Sequence, residues 1–76
     1  MTDVLDLRGE VCPYTFVKTK LKMEDMGRGE QLTILLDDSE AMANVSRSLK
    51  SEGHRILDLR AVSAAMWQIV VIKSGQ

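Results

Sequence analysis

The chain has little of most residues that build chemistry. Among 76 residues there is one cysteine, Cys12, one proline, Pro13, and one histidine, His54. One thiol cannot close a disulfide within the chain, and one Cys with one His cannot supply a structural zinc site. Tyr14, Phe16 and Trp67 are the only aromatic residues, and the formal net charge is −1. That combination offers no basic surface interleaved with stacking rings, so a nucleic-acid partner is disfavoured. No apolar run approaches the roughly 20 residues of a membrane span, so no membrane association is expected. Met1-Thr2-Asp3 carries neither the basic residues nor the apolar stretch of a signal peptide. A lone free thiol fits a reducing compartment, and the expected location is cytoplasmic. There is no repeat and no low-complexity tract.

What remains is one domain over 1–76. A domain of this size buries only about 60% of its unfolded surface, so its core must pack efficiently. Val4-Leu5-Asp6-Leu7 reads as a short strand in which Leu5 and Leu7 alternate with Asp6. Arg8-Gly9-Glu10 reads as a loop. Pro13 to Met26 reads as a helix, with Gly27 as the glycine that ends it. Gln31 to Leu36 reads as a buried strand. Asp38 is placed to cap a helix from Ser39 to about Glu52, with Ala41, Met42, Val45 and Leu49 on one face and Gly53 at its end. Arg55 to Val62 reads as a strand with Leu57 and Leu59 on one face. Met66 to Lys73 reads as another, with Trp67, Ile69 and Val71 alternating against Val70 and Ile72. The order βαβαββ packs naturally as an α/β (α+β) two-layer sandwich, a four-stranded mixed sheet with two helices on one face.

The Cys12-Pro13 pair is the most informative feature. Proline is favoured at the first helical position, which makes the residue before it the N-cap. An N-cap lies beside unpaired backbone N–H groups and the positive end of the helix dipole. Both favour a thiolate, the nucleophilic form of cysteine. Val11 and Phe16 then have the spacing of a hydrophobic staple across the helix start. From position alone, a buried and inert Cys12 remains an equal alternative.

The stretch Leu5-Asp6-Leu7-Arg8-Gly9-Glu10-Val11-Cys12-Pro13 resembles the opening of the TusA/SirA-like family of small sulfur-carrier proteins. That family's signature is a leucine-aspartate strand, a glycine, and Cys-Pro-x-Pro opening a helix. The likeness continues through Gly29-Glu30, Asp37-Asp38, Gly53-His54 and Lys73, without a gap, over nearly the whole chain. It implies a βαβαββ fold like the C-terminal domain of bacterial translation initiation factor three. It implies that Cys12 accepts sulfane sulfur as a persulfide and passes it on. The partners implied are a sulfur-donor protein of cysteine desulfurase or rhodanese type and a sulfur-acceptor protein, in tRNA thiolation, cofactor maturation or sulfur oxidation. No bound cofactor and no metal are implied.

Thr15 stands where the second motif proline would be, a variant of the family pattern. A proline there would lack an N–H, whereas Thr15 supplies one. The N–H groups of Tyr14 and Thr15, behind Pro13, are then the candidate donors to the Cys12 sulfur anion. At about 100° per residue, Phe16, Thr19, Met23 and Met26 share one face of the first helix, and Tyr14, Val17 and Leu21 share nearly the opposite one. The resemblance favours the Phe16 stripe as core. The Tyr14, Val17 and Leu21 strip is then a candidate docking surface beside Cys12. Arg8, Lys18 and Lys22 are candidates to meet an acidic partner or the persulfide anion, against a plain solvated reading of each.

Several other readings compete. Asp37 and Asp38 could be paired carboxylates for acid–base work, although capping accounts for Asp38 directly. His54 fits an interaction with a helix end better than a proton relay or a Cys–His dyad. A carrier that holds sulfur as a C-terminal thiocarboxylate would need a di-glycine end, and Ser74-Gly75-Gln76 does not provide one. A regulatory, protein-binding or nucleic-acid-binding module on the same fold, without sulfur chemistry, is the alternative function.

Overall fold

The computed structural model describes residues 2–10 and 14–74. Val11, Cys12 and Pro13 lie outside the described residues, and so do the expected N-cap, first helical position and staple that rest on them. The elements are β1 (Thr2–Asp6), α1 (Tyr14–Asp25), β2 (Gln31–Leu36), α2 (Ser39–Ser51), β3 (Arg55–Ser63) and β4 (Met66–Ile72). The strands form one four-stranded sheet in the order β1-β2-β4-β3. β1 runs parallel to β2, while β2–β4 and β4–β3 are antiparallel. This is the mixed-sheet, two-layer arrangement that the element order predicts.

The core follows from the period-2 alternation of the central strands. Leu32, Ile34 and Leu36 of β2 and Ile69 and Val71 of β4 are fully buried, and the register sets Leu32 opposite Val71 and Ile34 opposite Ile69. Met23 and Met26 at the end of the first helix, with Ala41, Val45 and Leu49 of α2, close over that face. Leu7, just past β1, is buried with them, and its N–H donates to the Leu35 carbonyl at 2.8 Å.

α2 ends as the sequence predicts. Asp38 is its N-cap and accepts from the Glu40 N–H at 3.3 Å. At the other end Gly53 takes φ 86° while its N–H donates to Lys50 O and that of His54 to Leu49 O. This is the paired hydrogen bonding of a Schellman motif, in which the left-handed residue is glycine because a Cβ is disfavoured there.

Four expectations need correction. β1 starts two residues earlier than Val4 and ends at Asp6, because residues 2–6 all find parallel partners on β2. Gly27 does not adopt the left-handed conformation; Gly29 does, at φ 87°. The Gly27 N–H instead donates to Glu30 Oε1 at 2.8 Å, and Lys73 Nζ reaches the Met26 carbonyl at 2.7 Å, so side chains satisfy the end of α1. Leu57 and Leu59 do not share a face. A register shift between Ile56 and Asp58 leaves Leu57 without a ladder partner, so Ile56 and Leu59 stand opposite the buried Val71 and Ile69. Of the expected stripe, Thr19, Met23 and Met26 are buried as predicted, but Thr15 joins them in the core where Phe16 was expected. Phe16 is half-buried and lines the seam between the helices with Arg47, Ser48, Ser51 and Glu52 of the α2 side.

Among the described residues, no helix is long and apolar enough to cross a membrane.

Candidate functional site

The loop that leads to Cys12 is held by its own backbone and by three side-chain pairs. Glu10 N–H donates to Leu7 O at 3.1 Å, which closes a four-residue turn. Gly9 is the third residue of that turn at φ 85°, the position where a type II turn needs a positive φ. Its N–H donates to Asp37 Oδ2 at 2.8 Å, so the turn is fastened to the connection between β2 and α2. Glu10 pairs with Lys18 of α1 at 3.0 Å, which fastens the same turn to the helix.

Arg8 is turned toward Asp6. Its Nε donates to Asp6 Oδ1 at 2.9 Å and its Nη2 to Oδ2 at 2.7 Å, a two-pronged pairing. Hydrogen bonding from the Arg8 side chain, then from its backbone N–H, lowers the Asp6 pKa to about 2. The same pairing raises the pKa of Arg8, with a smaller contribution from the charge of Asp37. Lys22 pairs with Asp3 at 3.3 Å. The cations expected to meet a partner or an anion, Arg8, Lys18 and Lys22, are therefore each matched by a carboxylate within the chain. Arg8 and Lys18 remain about half exposed, at 51% and 49% of the side chain, so they can still be approached from solvent.

α1 begins at Tyr14. The first four N–H groups of a helix have no partner within it, and those of Tyr14 and Thr15 are the first two of this one. The first turn of α1 carries no acidic residue, whereas α2 has Asp38 at its cap and Glu40 in its first turn. The helix end nearest Cys12 in sequence is thus the one without a carboxylate of its own. Three residues separate Glu10 from Tyr14, and Cys12 is the middle one.

Thr15 is 1% exposed and its Oγ1 has no hydrogen-bond partner among the described residues, while its carbonyl accepts from Thr19 Oγ1 at 2.7 Å. The proposed docking residues fall on the other side of the helix. Tyr14, Val17 and Leu21 are 59%, 45% and 61% exposed and form one apolar strip. Leu21 also lines a groove with Lys18, Lys22, Glu24 and Asp25, floored by Leu5 of β1. Because β1 is an edge strand, the groove runs along a free side of the sheet.

Through Glu10 the turn that carries Arg8 meets Lys18, Lys18 and Leu21 line one groove, and Asp37 holds the same turn through Gly9. The sequence offers Asp37 as part of the family likeness and as a candidate acid–base carboxylate, but not this contact, since its partner is a main-chain N–H 28 positions away. Asp38 serves as a helix cap. His54 is buried at the end of α2, with its Nε2 at 4.0 Å from Glu52 Oε1.

The model of the sulfurtransferase TusA family matches residues 3–73. A protein of Archaeoglobus fulgidus named "Putative sulfur carrier protein" is 46% identical over 71 residues, which cover 93% of this chain and 81% of that one. A Thermotoga maritima protein of the same name is 34% identical over 71 residues, covering 93% and 90%. The crystal structure of the SirA-like protein of Desulfitobacterium hafniense superposes with a TM-score of 0.83, covering 97% of this chain and 99% of that one at 19% identity. A Helicobacter pylori protein solved in solution gives a TM-score of 0.72 at 23% identity, covering 95% and 97%. At these identities the two solved structures speak for the fold.

Proposed function

Because the chain belongs to the sulfurtransferase TusA family, we propose that it is a sulfur carrier whose Cys12 holds sulfane sulfur as a persulfide between a donor and an acceptor protein. The observation that carries this reading is the placement of α1. The helix begins at Tyr14, two positions after the only thiol, and its first turn has no acidic residue to compete for its N–H groups. A thiolate or persulfide anion is what such a helix end favours.

The transfer balances without an added oxidant. The Cys12 thiolate attacks the terminal sulfur of a donor persulfide. The donor's sulfur–sulfur bond breaks as the new one forms on Cys12, and the donor leaves as a thiolate. Delivery repeats the step, with an acceptor nucleophile attacking the terminal sulfur and Cys12 as the leaving thiolate. A helix end that stabilises the Cys12 thiolate makes it a better leaving group in delivery, because lower-pKa thiols leave faster. Tyr14 and Thr15 supply the N–H groups, and Pro13 sets the helix start.

The apolar strip of Tyr14, Val17 and Leu21 supports docking of donor and acceptor beside the cysteine, with Arg8 and Lys18 on its margin. A donor of cysteine desulfurase or rhodanese type supplies the sulfur. A reducing compartment, the cytoplasm, keeps the thiol free between transfers. The test is to follow labelled sulfur from L-cysteine through a cysteine desulfurase. Label that becomes bound to the chain, is released by reductant and is absent from Cys12→Ser supports the reading. Label that never leaves the desulfurase contradicts it.

A further inference from the structure

We propose that the outer edge of β3 pairs with a second copy of this chain. The two β3 strands lie antiparallel about a two-fold axis at Leu59, with Asp58 opposite the partner's Arg60. β3 is an edge of the sheet, and nothing among the described residues pairs with its outer side. It is the longest of the described strands, at nine residues against seven for its neighbour β4. Every residue of it except Ile56 is exposed, Leu57, Leu59 and Val62 included. Such an edge offers a row of unpaired N–H and C=O groups to a further strand. Bulges blunt edges of this kind, and β3 has register shifts between Ile56 and Asp58 and between Ala61 and Ser63. The stretch between them, Asp58 to Ala61, pairs regularly with β4 and is the part left open.

The charges on that stretch select the occupant. Asp58 and Arg60 stand opposite Val70 and Gln68, on the sheet face away from the helices, and pair with each other at 3.2 Å. Leu59 lies between them on the other face, opposite the buried Ile69. Leu59 is also the middle residue of β3. With the axis there, each Asp58 faces an Arg60 across the interface, and the four charges alternate in sign around a square. A lone exposed pair is worth little, whereas charges in a network contribute more. Leu59 meets the partner's Leu59 and extends the apolar layer across the axis. Moving the axis to Asp58 or to Arg60 sets like charges opposite each other, which is destabilising. Placing it midway between Leu59 and either neighbour sets both charges opposite apolar side chains.

The other edge does not have this pattern. β1 has five residues, none of them basic, and its Asp3 is already held by Lys22 of α1. Pairing through β3 doubles the four-stranded sheet and leaves β1 and the groove beside it free at both far edges.

The experiment is sedimentation equilibrium of the intact chain under reductant, so that no Cys12 disulfide joins two copies. Over about 10 μM to about 1 mM, the range of weak association, the wild-type mass should climb from the 8.5 kDa of one chain toward twice that and no further. Asp58→Arg leaves only cations at the two positions, and Arg60→Asp leaves only carboxylates. Both sites are exposed, and circular dichroism checks the fold. Each variant alone should associate at least about tenfold more weakly than wild type, because like charges then face each other twice. An equimolar mixture of the two restores opposite charges at both positions and should recover the dimer, made of one copy of each. A wild type that stays at the single-chain mass overturns the proposal. Variants that dimerise as wild type does overturn it, and so does a mixture that stays monomeric. Mass beyond two chains contradicts a closed two-fold pairing and overturns it as well.

Discussion

Thr19 Oγ1 donates to the Thr15 carbonyl at 2.7 Å, yet Thr15 Oγ1, one turn earlier and just as buried, has no partner among the described residues. The two hydroxyls face the same core and meet different fates. Thr19 bonds back to the carbonyl four residues before it, a common resolution for threonine within a helix. Thr15 is the second residue of α1. Burying an unpaired hydroxyl costs about 1–3 kcal/mol. Thr15→Val keeps the shape and removes the hydroxyl, so it should stabilise the fold by about 1 kcal/mol, read from denaturant midpoints at constant m. A destabilised valine variant would show that the hydroxyl is satisfied in solution.

Thr15→Pro tests the same position for chemistry. It restores the second proline of the family signature and removes the N–H that we assign to the Cys12 anion. The thiol pKa should rise relative to wild type, measured by alkylation against pH with circular dichroism to check the fold. An equal or lower pKa in the proline variant would mean that the Thr15 N–H does not serve the sulfur.

The Asp6–Arg8 pair predicts a narrow acid-dependent effect. Asp6 has its pKa lowered from 3.8 to about 2 in the folded chain, first through the Arg8 side-chain hydrogen bond. A group with a depressed folded pKa contributes stability above its unfolded pKa, and the contribution is lost as pH falls through the folded value. The melting temperature should therefore decline between pH 4 and pH 2 more steeply in wild type than in Asp6→Asn. Parallel curves would show that Arg8 leaves this carboxyl unperturbed. The pair is about half exposed, so the difference will be small.

Asp38 predicts a loss of the ordinary capping kind. Asp38→Ala should destabilise the fold by about 1 kcal/mol, the typical worth of an N-cap side chain, with sulfur loading of the folded protein unchanged. Equal stability would show that the 3.3 Å contact to Glu40 N–H contributes nothing.

Leu21→Glu addresses docking. Leu21 is 61% exposed, so the variant should fold as wild type does. Sulfur transfer from a donor protein should nevertheless slow by about tenfold, the scale of one interface contact of about 1.4 kcal/mol. Transfer at the wild-type rate would remove the apolar strip from the account.

Much of this architecture was legible in the sequence. Asp38 and Gly53 mark the ends of α2 because capping is local chemistry, decided within a few residues. The buried faces of β2 and β4 were legible because alternation in a central strand is covered on both sides by neighbours. What escaped depends on partners distant in sequence. The bulge at Leu57 shifts the register of β3 against β4, and no residue within β3 announces it. The family resemblance favours Phe16 as core, but α2 lies beside it, and the smaller Thr15 is the residue fully buried. Gly29 rather than Gly27 takes the left-handed turn, since the Glu30 and Lys73 side chains close the helix end. At the site, the Cys-Pro pair and the apolar strip were legible as local patterns. The Asp37–Gly9 bond was not, because it joins a side chain to a main-chain N–H across the fold.

The most direct test of the central claim is intact-mass spectrometry of the chain after incubation with a persulfide-loaded donor. The account predicts a gain of one sulfur atom that reductant reverses, mapped to the Cys12 peptide and absent in Cys12→Ser. No gain on the wild type from either a cysteine desulfurase or a rhodanese, or an equal gain on Cys12→Ser, would contradict it.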